Sequence, residues 1–517
     1  MIALVLALVT LLPMTALAEP VSDSKTVQAQ SARTEPLTIS EVLARIELTH
    51  PLLRAMGAER EKARAKILKA LGAWEPQVKN YTQFERYTTW NLTTSFDIPS
   101  QHNTGYADST LQVGHPWGFV VEGGLRSGFG DSATNNRIAY PPDLLATYRT
   151  QHFYYAGSFH LLRGLVINEE NAAFQRAELA VPQAEIAVAQ KRQDLYLAGA
   201  VQYWDWQVAV KQAAVVKQIL AVAEARAAQV EGRAKAGKVS PLDVVEVNQE
   251  VQRRRAAAIA AQRKVEYEQY KLSLFFWENG EPVAPRAEWA PEFQGETPLP
   301  TEEEVSGFKV EAKEARPEVR DLYIQAKINN IDLKLAKNKL LPTLDLEGGP
   351  TKGAADWVVG LGYRVGLHTE IPLFQREGRG KVMAAEVGQS QLALKQQYTE
   401  QQVGYDVDNW LSAIVRARDR VRAATESYRL AKILEEGERK RFDLGATSIL
   451  FVNTRERNAV EAAYQLYRAQ ADYAVARGGM LWARGVLSKP WPESELVKYG
   501  NPLTAAGMNG HQRPGRD

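Results

Sequence analysis

Between residues 449 and 486 apolar side chains return every seven positions, at Val452, Ala459, Leu466, Tyr473, Met480 and Leu487. A stripe of Ala462, Ala469, Ala476 and Ala483 runs beside them. A seven-residue period predicts a helix in a left-handed supercoil, and the alanines let a neighbouring helix approach closely. The same pattern stands 208 positions earlier, at Val244, Val251, Ala258, Val265 and Leu272. Two more helices are predicted in the second half: 318–341, stopped by Pro342, and a proline-free run over 381–443 closed by Gly445. At 1.5 Å per residue the long helix spans about 95 Å, and the two shorter ones together span about as much. They are therefore expected to stand end to end alongside it.

Elsewhere the period is two. From Trp357 to Leu367, the positions Trp357, Val359, Leu361, Tyr363, Val365 and Leu367 alternate with Val358, Gly360, Gly362, Arg364 and Gly366. That run has about the 9–11 residues of a tilted bilayer-crossing strand, with aromatics on one face. A shorter alternating run follows Pro342, and Gly348 to Asp356 is expected to supply the turn of a hairpin. In the first half Phe153, Tyr155, Phe159 and Leu161 alternate with Tyr154, Ala156, Ser158 and His160. Leu111, Val113, His115, Trp117, Phe119 and Val121 alternate as well, interrupted by Pro116. Proline favours an edge or a bulge there, so an added hairpin or an external loop is expected. A soluble sheet is the alternative for each strand alone.

The chain is duplicated. Pro51 pairs with Pro317 and Pro76 with Pro342 at one offset, 266. Arg233, Gly237, Ser240, Leu242 and Val244 recur as Arg441, Gly445, Ser448, Leu450 and Val452 at an offset of 208. The difference, 58, places that many extra residues in the first copy, around 80–150. Two long copies do not make a solenoid, which needs several short repeats.

Composition narrows the class. The 517 residues contain no cysteine, so disulfides, thiolate metal sites and thioether lipidation are excluded. Basic and acidic residues number 63 and 61, a balance that argues against nucleic-acid binding. Mean hydropathy is −0.33. Residues 1–18, ending Ala16-Leu17-Ala18, read as a secretory signal, with an N-terminal anchor as the other reading. The histidines show no metal or triad spacing, and neither cofactor nor catalytic site is expected. Arg253-Arg254-Arg255 reads as a solvated helix face, Trp204 and Trp206 as packing where helices meet, and Asn91-Leu-Thr93 as an accidental sequon.

Two hairpins per chain give about four strands. Hydrocarbon does not tolerate an open sheet edge, so one chain cannot close alone. Three chains would supply twelve strands and twelve helical positions, although the number three does not itself follow from this argument.

Leu37-Thr-Ile-Ser-Glu41, His50-Pro51-Leu-Leu, Leu341-Pro342-Thr-Leu-Asp-Leu, Glu370-Ile-Pro-Leu-Phe374, Arg379-Gly380 and Arg441 through Val452 resemble, in their order and duplication, the TolC-like outer-membrane efflux family. The resemblance covers nearly the whole mature chain. It implies a mainly α protein with a membrane β-barrel: a homotrimer whose twelve-strand barrel in outer-membrane lipid continues as a twelve-helix periplasmic tunnel. The implied role is a passive exit duct, not an enzyme. An inner-membrane transporter would deliver cargo through a periplasmic adaptor. The segments would be 1–18 signal, 19–36 extension, 37–277 first repeat with barrel strands over about 77–163, 278–315 equatorial connection, 316–487 second repeat with its hairpin over about 343–374, and 488–517 equatorial end and disordered tail.

The resemblance further implies that Gly237, Lys238, Val239 and Ser240, with Gly445, Ala446, Thr447 and Ser448, form tips that meet the adaptor. Sharp turns alone would also require these glycines. Asp243 lies where the family can carry a tunnel-entrance acid. Ser240-Pro-Leu-Asp243 also reads as a capping box. Where some members carry stacked carboxylates this chain has Phe451 and Thr454, which leaves Phe451 as an apolar gate or as a coiled-coil core residue. The rival class is a soluble periplasmic coiled-coil adaptor or scaffold, which has no use for lipid-facing strands.

Overall fold

The computed structural model describes residues 35–90, 99–130, 150–237, 239–351 and 362–499. The expected signal segment, the 91–93 sequon, Lys238, the start of the 357–367 strand and the C-terminal tail lie outside the described residues.

The first copy runs α1 (Ile39–Thr49), α2 (Pro51–Leu71), strands β1 (Gln77–Trp90), β2 (Pro99–Gly114), β3 (Phe119–Gly130) and β4 (Thr150–His160), then α3 (Glu169–Lys235) and α4 (Pro241–Ser273). A short ribbon, β5 (Trp277–Glu278) and β6 (Glu281–Pro282), and helix α5 (Glu302–Ala315) connect it to the second copy. That copy runs α6 (Pro317–Asn338), β7 (Thr343–Thr351), β8 (Gly362–Glu370), α7 (Arg376–Asp443) and α8 (Ile449–Ala483), and α9 (Glu493–Tyr499) ends the described chain.

The duplicated prolines mark duplicated joints. Pro51 and Pro317 open α2 and α6, where a missing N–H costs nothing and the ring presets φ. Pro76 and Pro342 stand immediately before β1 and β7. The long α3, 67 residues, packs against both α2 and α4; the 68-residue α7 packs against both α6 and α8.

The short helices meet end to end. Arg316, N-cap of α6, donates from Nη1 to the Ala483 carbonyl at the end of α8 (3.5 Å), and its guanidinium lies 3.9 Å from the Trp482 ring centroid. Gly485 turns the chain there at φ +75°, and a Cβ on it would lie 3.0 Å from Ala315. In the first copy Thr49 Oγ1 donates to the Trp277 carbonyl (2.9 Å), and the His50 ring, which caps α2, lies 6.0 Å from Phe275.

Around this joint lies the largest cluster of buried side chains, with Tyr196, Tyr203, Trp204, Trp206, Leu272 and Phe276. Arg192 clasps Glu47 through Nε (2.8 Å) and Nη2 (3.0 Å) and reaches the Ser488 carbonyl (3.1 Å). The tryptophans thus pack where the helices meet. All six heptad residues from Val452 to Leu487 and all four stripe alanines are buried, as their period requires.

The strands form one antiparallel sheet in the order β1-β2-β3-β4-β7-β8. Among the described residues the sheet has six strands, the four of two hairpins and the added hairpin that was one of the two expectations for the first copy. The alternating run through Pro116 is two strands joined by a tight turn, and β7 continues through Gly348 to Thr351, where a turn was expected. These corrections share one cause: alternation marks side-chain faces and does not report where the chain reverses.

Register sorts the faces. Val78 opposes Leu111, Val113 opposes Val121, Leu125 opposes Phe153, and Phe119, Phe159, Leu346 and Leu367 form one row across four strands. On the other face Lys79 opposes Thr110, Gln112 opposes Glu122, and His160, Asp345 and His368 form a row. The apolar face is bare: Val78, Phe84, Phe153, Tyr363, Val365 and Leu367 are each more than three-fifths exposed. No described helix is long and apolar enough to cross a membrane.

Candidate functional site: the hairpin turns and the ion-pair cluster behind them

Each long helix ends in a tight turn into its heptad helix. Gly237 and Gly445 take φ of +70° and +73°, a conformation that glycine adopts without a Cβ penalty. After α7 the Ala446 N–H donates to the Arg441 carbonyl (2.8 Å) and the Gly445 N–H to Phe442 (2.9 Å), which satisfies the last carbonyls in a Schellman arrangement. In the other turn Gly237 donates to Ala234 (2.9 Å). Nothing approaches the Cα of either glycine on its open side.

Ser240 caps α4: its Oγ accepts from the Leu242 N–H (3.1 Å), while Asp243 accepts from the Ser240 N–H (3.1 Å). The capping box therefore engages Asp243. Ser448 begins α8 without a side-chain cap.

Val239, half-buried, packs on a cluster of Ala223, Ala227 and Val230 from α3, Val247 and Val251 from α4, and Ile449 and Val452 from α8. Phe451 is 57% exposed; Leu444 and Leu450 beside it in sequence are also bare, as are Leu242 and Val245 at the start of α4. Phe451 is therefore not a core residue of its own chain, because the seam belongs to its neighbour Val452. Thr454 Oγ1 donates back to the Leu450 carbonyl (2.8 Å). Ala446 and Thr447 complete the second turn, with Ala446 exposed.

About 10 Å up α8 from its start lies a charged cluster that four helices build together. Glu456, fully buried, accepts from Arg254 Nη2 of α4 (2.7 Å) and Arg226 Nη1 of α3 (3.0 Å), and from Arg439 Nη2 of α7 (3.3 Å). Arg226 also reaches Asn453 (3.3 Å). Arg254 donates to Glu250 (2.9 Å) and the Ile219 carbonyl (3.1 Å), and Arg439 to Glu435 (2.7 Å). Burial pushes the Glu456 carboxyl up, but hydrogen bonding and charge from Arg226 and Arg254 outweigh it and hold the group below its ordinary range.

The expectation of a wholly solvated Arg253–Arg255 face is thus corrected at its centre. Arg253 and Arg255 are exposed, whereas Arg254 is buried in this cluster. The available signal was its place in the heptads, three residues after Val251 and four before Ala258, where a charge interrupts an apolar seam. Glu456, four after Val452 and three before Ala459, interrupts the facing seam with the opposite sign.

Among the described residues no group of histidine and carboxylate side chains could hold a metal. No family model and no curated protein matches the chain. Solved structures do. The Campylobacter jejuni CmeC outer membrane channel matches with a TM-score of 0.64 at 13% identity, over 91% of this chain and 88% of that one. The Vibrio cholerae outer membrane protein VceC matches at 0.60 and 12%, over 86% and 96%. The open-state Neisseria gonorrhoeae MtrE outer membrane channel matches at 0.57 and 14%, over 86% and 88%. This chain has the fold of the outer-membrane channels. The sequence resemblance and the structural one therefore agree, and they agree over nearly the full length of both partners.

Proposed function

We propose that this chain is the subunit of a passive homotrimeric exit duct in the outer membrane of a Gram-negative-type cell. Its strands line a pore through outer-membrane lipid, and its helices form a twelve-position tube across the periplasm. Its turns, Gly237–Ser240 and Gly445–Ser448, meet a periplasmic adaptor bound to an inner-membrane transporter, in an efflux or type I secretion system. The chain itself performs no covalent chemistry.

One observation carries this reading: a sheet with one apolar and one polar face grows from the ends of helices, and none of the described helices is long and apolar enough to cross a membrane. A soluble adaptor would not hold so many bare aromatic and aliphatic residues on one sheet face, whereas lipid covers them. In the tube the exposed Phe451 from each copy forms an apolar constriction near the entrance. Thr454, engaged with its own backbone, contributes no charge there, and Asp243 serves its helix cap.

Detergent-purified protein is expected in the outer-membrane fraction, with a subunit mass of three copies and discrete conductance in planar bilayers. Recovery of a monodisperse single copy from aqueous lysate would refute the reading and favour the soluble scaffold. Phe451→Ala is expected to raise closed-state conductance; an unchanged closed state removes the gate.

A further inference from the structure

The 58 extra residues of the first copy have a definite place. In the second copy the chain passes from α6 through two strands to α7, and in the first it passes from α2 through four strands to α3. The first and last of those four occupy the joints next to Pro76 and α3, so β2 and β3 are the addition. They are not an appendage. β1 pairs with β2 along the whole length of β1 and β3 with β4 over ten residues, and the apolar and polar faces run through both without a change of sign.

The turn between them is built into the joint below. The Pro116 carbonyl accepts from Asn168 Nδ2 (3.3 Å), and Asn168 is the N-cap of α3. Gly118, at φ +77°, sits where a Cβ would lie 2.8 Å from the His160 ring and 2.9 Å from the Gly164 carbonyl.

We infer that the inserted hairpin is part of the pore wall. Each copy then contributes six strands, and the barrel closes when β8 of one copy pairs antiparallel with β1 of a second. This rests on the trimeric channel reading, under which three copies make eighteen strands and not twelve.

Three arguments support it. First, β1 and β8 are the two edges of the sheet, and lipid leaves no edge unpaired. Second, Gln77 and Glu370 both stand at the helical end, so β1 leaves the helices and β8 returns to them, and the two meet antiparallel around a ring of any size. Third, girth agrees. With strands about 4.8 Å apart and tilted about 40°, eighteen strands give a circumference of about 113 Å and twelve about 75 Å. Twelve packed helices at 8–10 Å spacing need roughly 96–120 Å. An eighteen-strand wall continues the tube without narrowing, which places the size limit for cargo at the turns and not in the barrel.

Face parity fixes the contact between copies. Val78 and Phe84 share a face with Tyr363, Val365 and Leu367, so even positions of β1 must oppose odd positions of β8. On the polar face Gln83 then opposes Arg364 or a residue two places away.

The natural chain lacks cysteine, so engineered pairs report strand neighbours directly. In full-length protein in outer membranes, Gln83→Cys combined in turn with Gly362→Cys, Arg364→Cys or Gly366→Cys is expected to give, for one of the three, an oxidation-dependent ladder ending at three copies. Lys79→Cys with Thr110→Cys, and Glu122→Cys with Ala156→Cys, are expected to close within one chain. A bridge within one chain between Gln83→Cys and Ser158→Cys would place β1 beside β4 and the hairpin outside the wall. That result overturns the inference while leaving a trimeric channel intact. End-on single-particle images supply a second reading: a wall about 36 Å across is expected, and one about 24 Å across refutes it. Absence of any trimer in the membrane fraction would instead defeat the channel reading itself.

Discussion

The two copies differ in one half of the unit and match in the other. Their long helices contain 67 and 68 residues and their heptad helices 33 and 35, yet among the described residues one copy carries four strands and the other two. Helices standing side by side in one tube must keep a common length, since a shortfall would leave apolar seam residues without partners. A barrel wall has no such limit on strand number. It demands parity, because the chain must return to the helical end, and an inserted hairpin satisfies that demand where a single strand could not.

The copies differ in charge as well. Arg439 and Glu456 lie 3.3 Å apart between α7 and α8. At positions 208 residues earlier Glu231 accepts from Asn248 at 3.1 Å between α3 and α4. The contact is retained in both copies. In the first it stands alone at the surface; in the second it has been drawn into a buried cluster.

That contrast yields the largest expected effect. Glu456→Ala leaves Arg226 and Arg254 buried without their carboxylate and should cost about 3–5 kcal/mol, read by thermal melting of the purified assembly. Asn248→Ala at the matching surface position should stay within about 0.5 kcal/mol. Equal losses would show that the two contacts are energetically equivalent.

Next come the seams, where Leu466→Ala should cost about 2–5 kcal/mol, since a buried leucine leaves a cavity. In the sheet, Val365→Arg in the second copy and Val121→Arg in the inserted hairpin should each cost about 2–4 kcal/mol, because both are read as facing lipid. A cost at Val365 alone would separate the hairpin from the wall.

The acid response follows from Glu456. Its carboxyl is held below the ordinary value of 4.5, so its contribution is fully present above that pH and is lost as pH falls through the lower folded-state value. Melting temperature should therefore drop on acidification below about 4.5, and Glu456→Gln should remove that part of the drop. Apart from the near-neutral Asn248→Ala, the smallest effects are those of Gly237→Ala and Gly445→Ala. Each should cost about 1–2 kcal/mol from positive φ alone, and nearly the same in both turns because each has open space for the methyl group.

Much of this was legible beforehand, for identifiable reasons. Prolines at 51, 76, 317 and 342 announced the joints because proline restricts the backbone wherever it stands. The heptads announced the buried stripe from Val452 to Leu487, and Gly445 its own turn. Less legible were the features that depend on partners. The heptads place Arg254 on the seam and Arg253 and Arg255 off it, but only the approach of Glu456 from α8 supplies the partner with which Arg254 is buried. The reversal at His115–Gly118 was hidden because the residues on either side keep the same alternation.

The sequence by itself determined the duplication, the helical periods, the apolar alternation and the need for sheet edges to find partners, since each follows from backbone geometry repeating along one chain. Only the tertiary structure decided that six strands share one sheet, that Asp243 is engaged in a cap, and that three arginines converge on Glu456. Those outcomes depend on which distant segments come within hydrogen-bonding distance, and a local period carries no information about that.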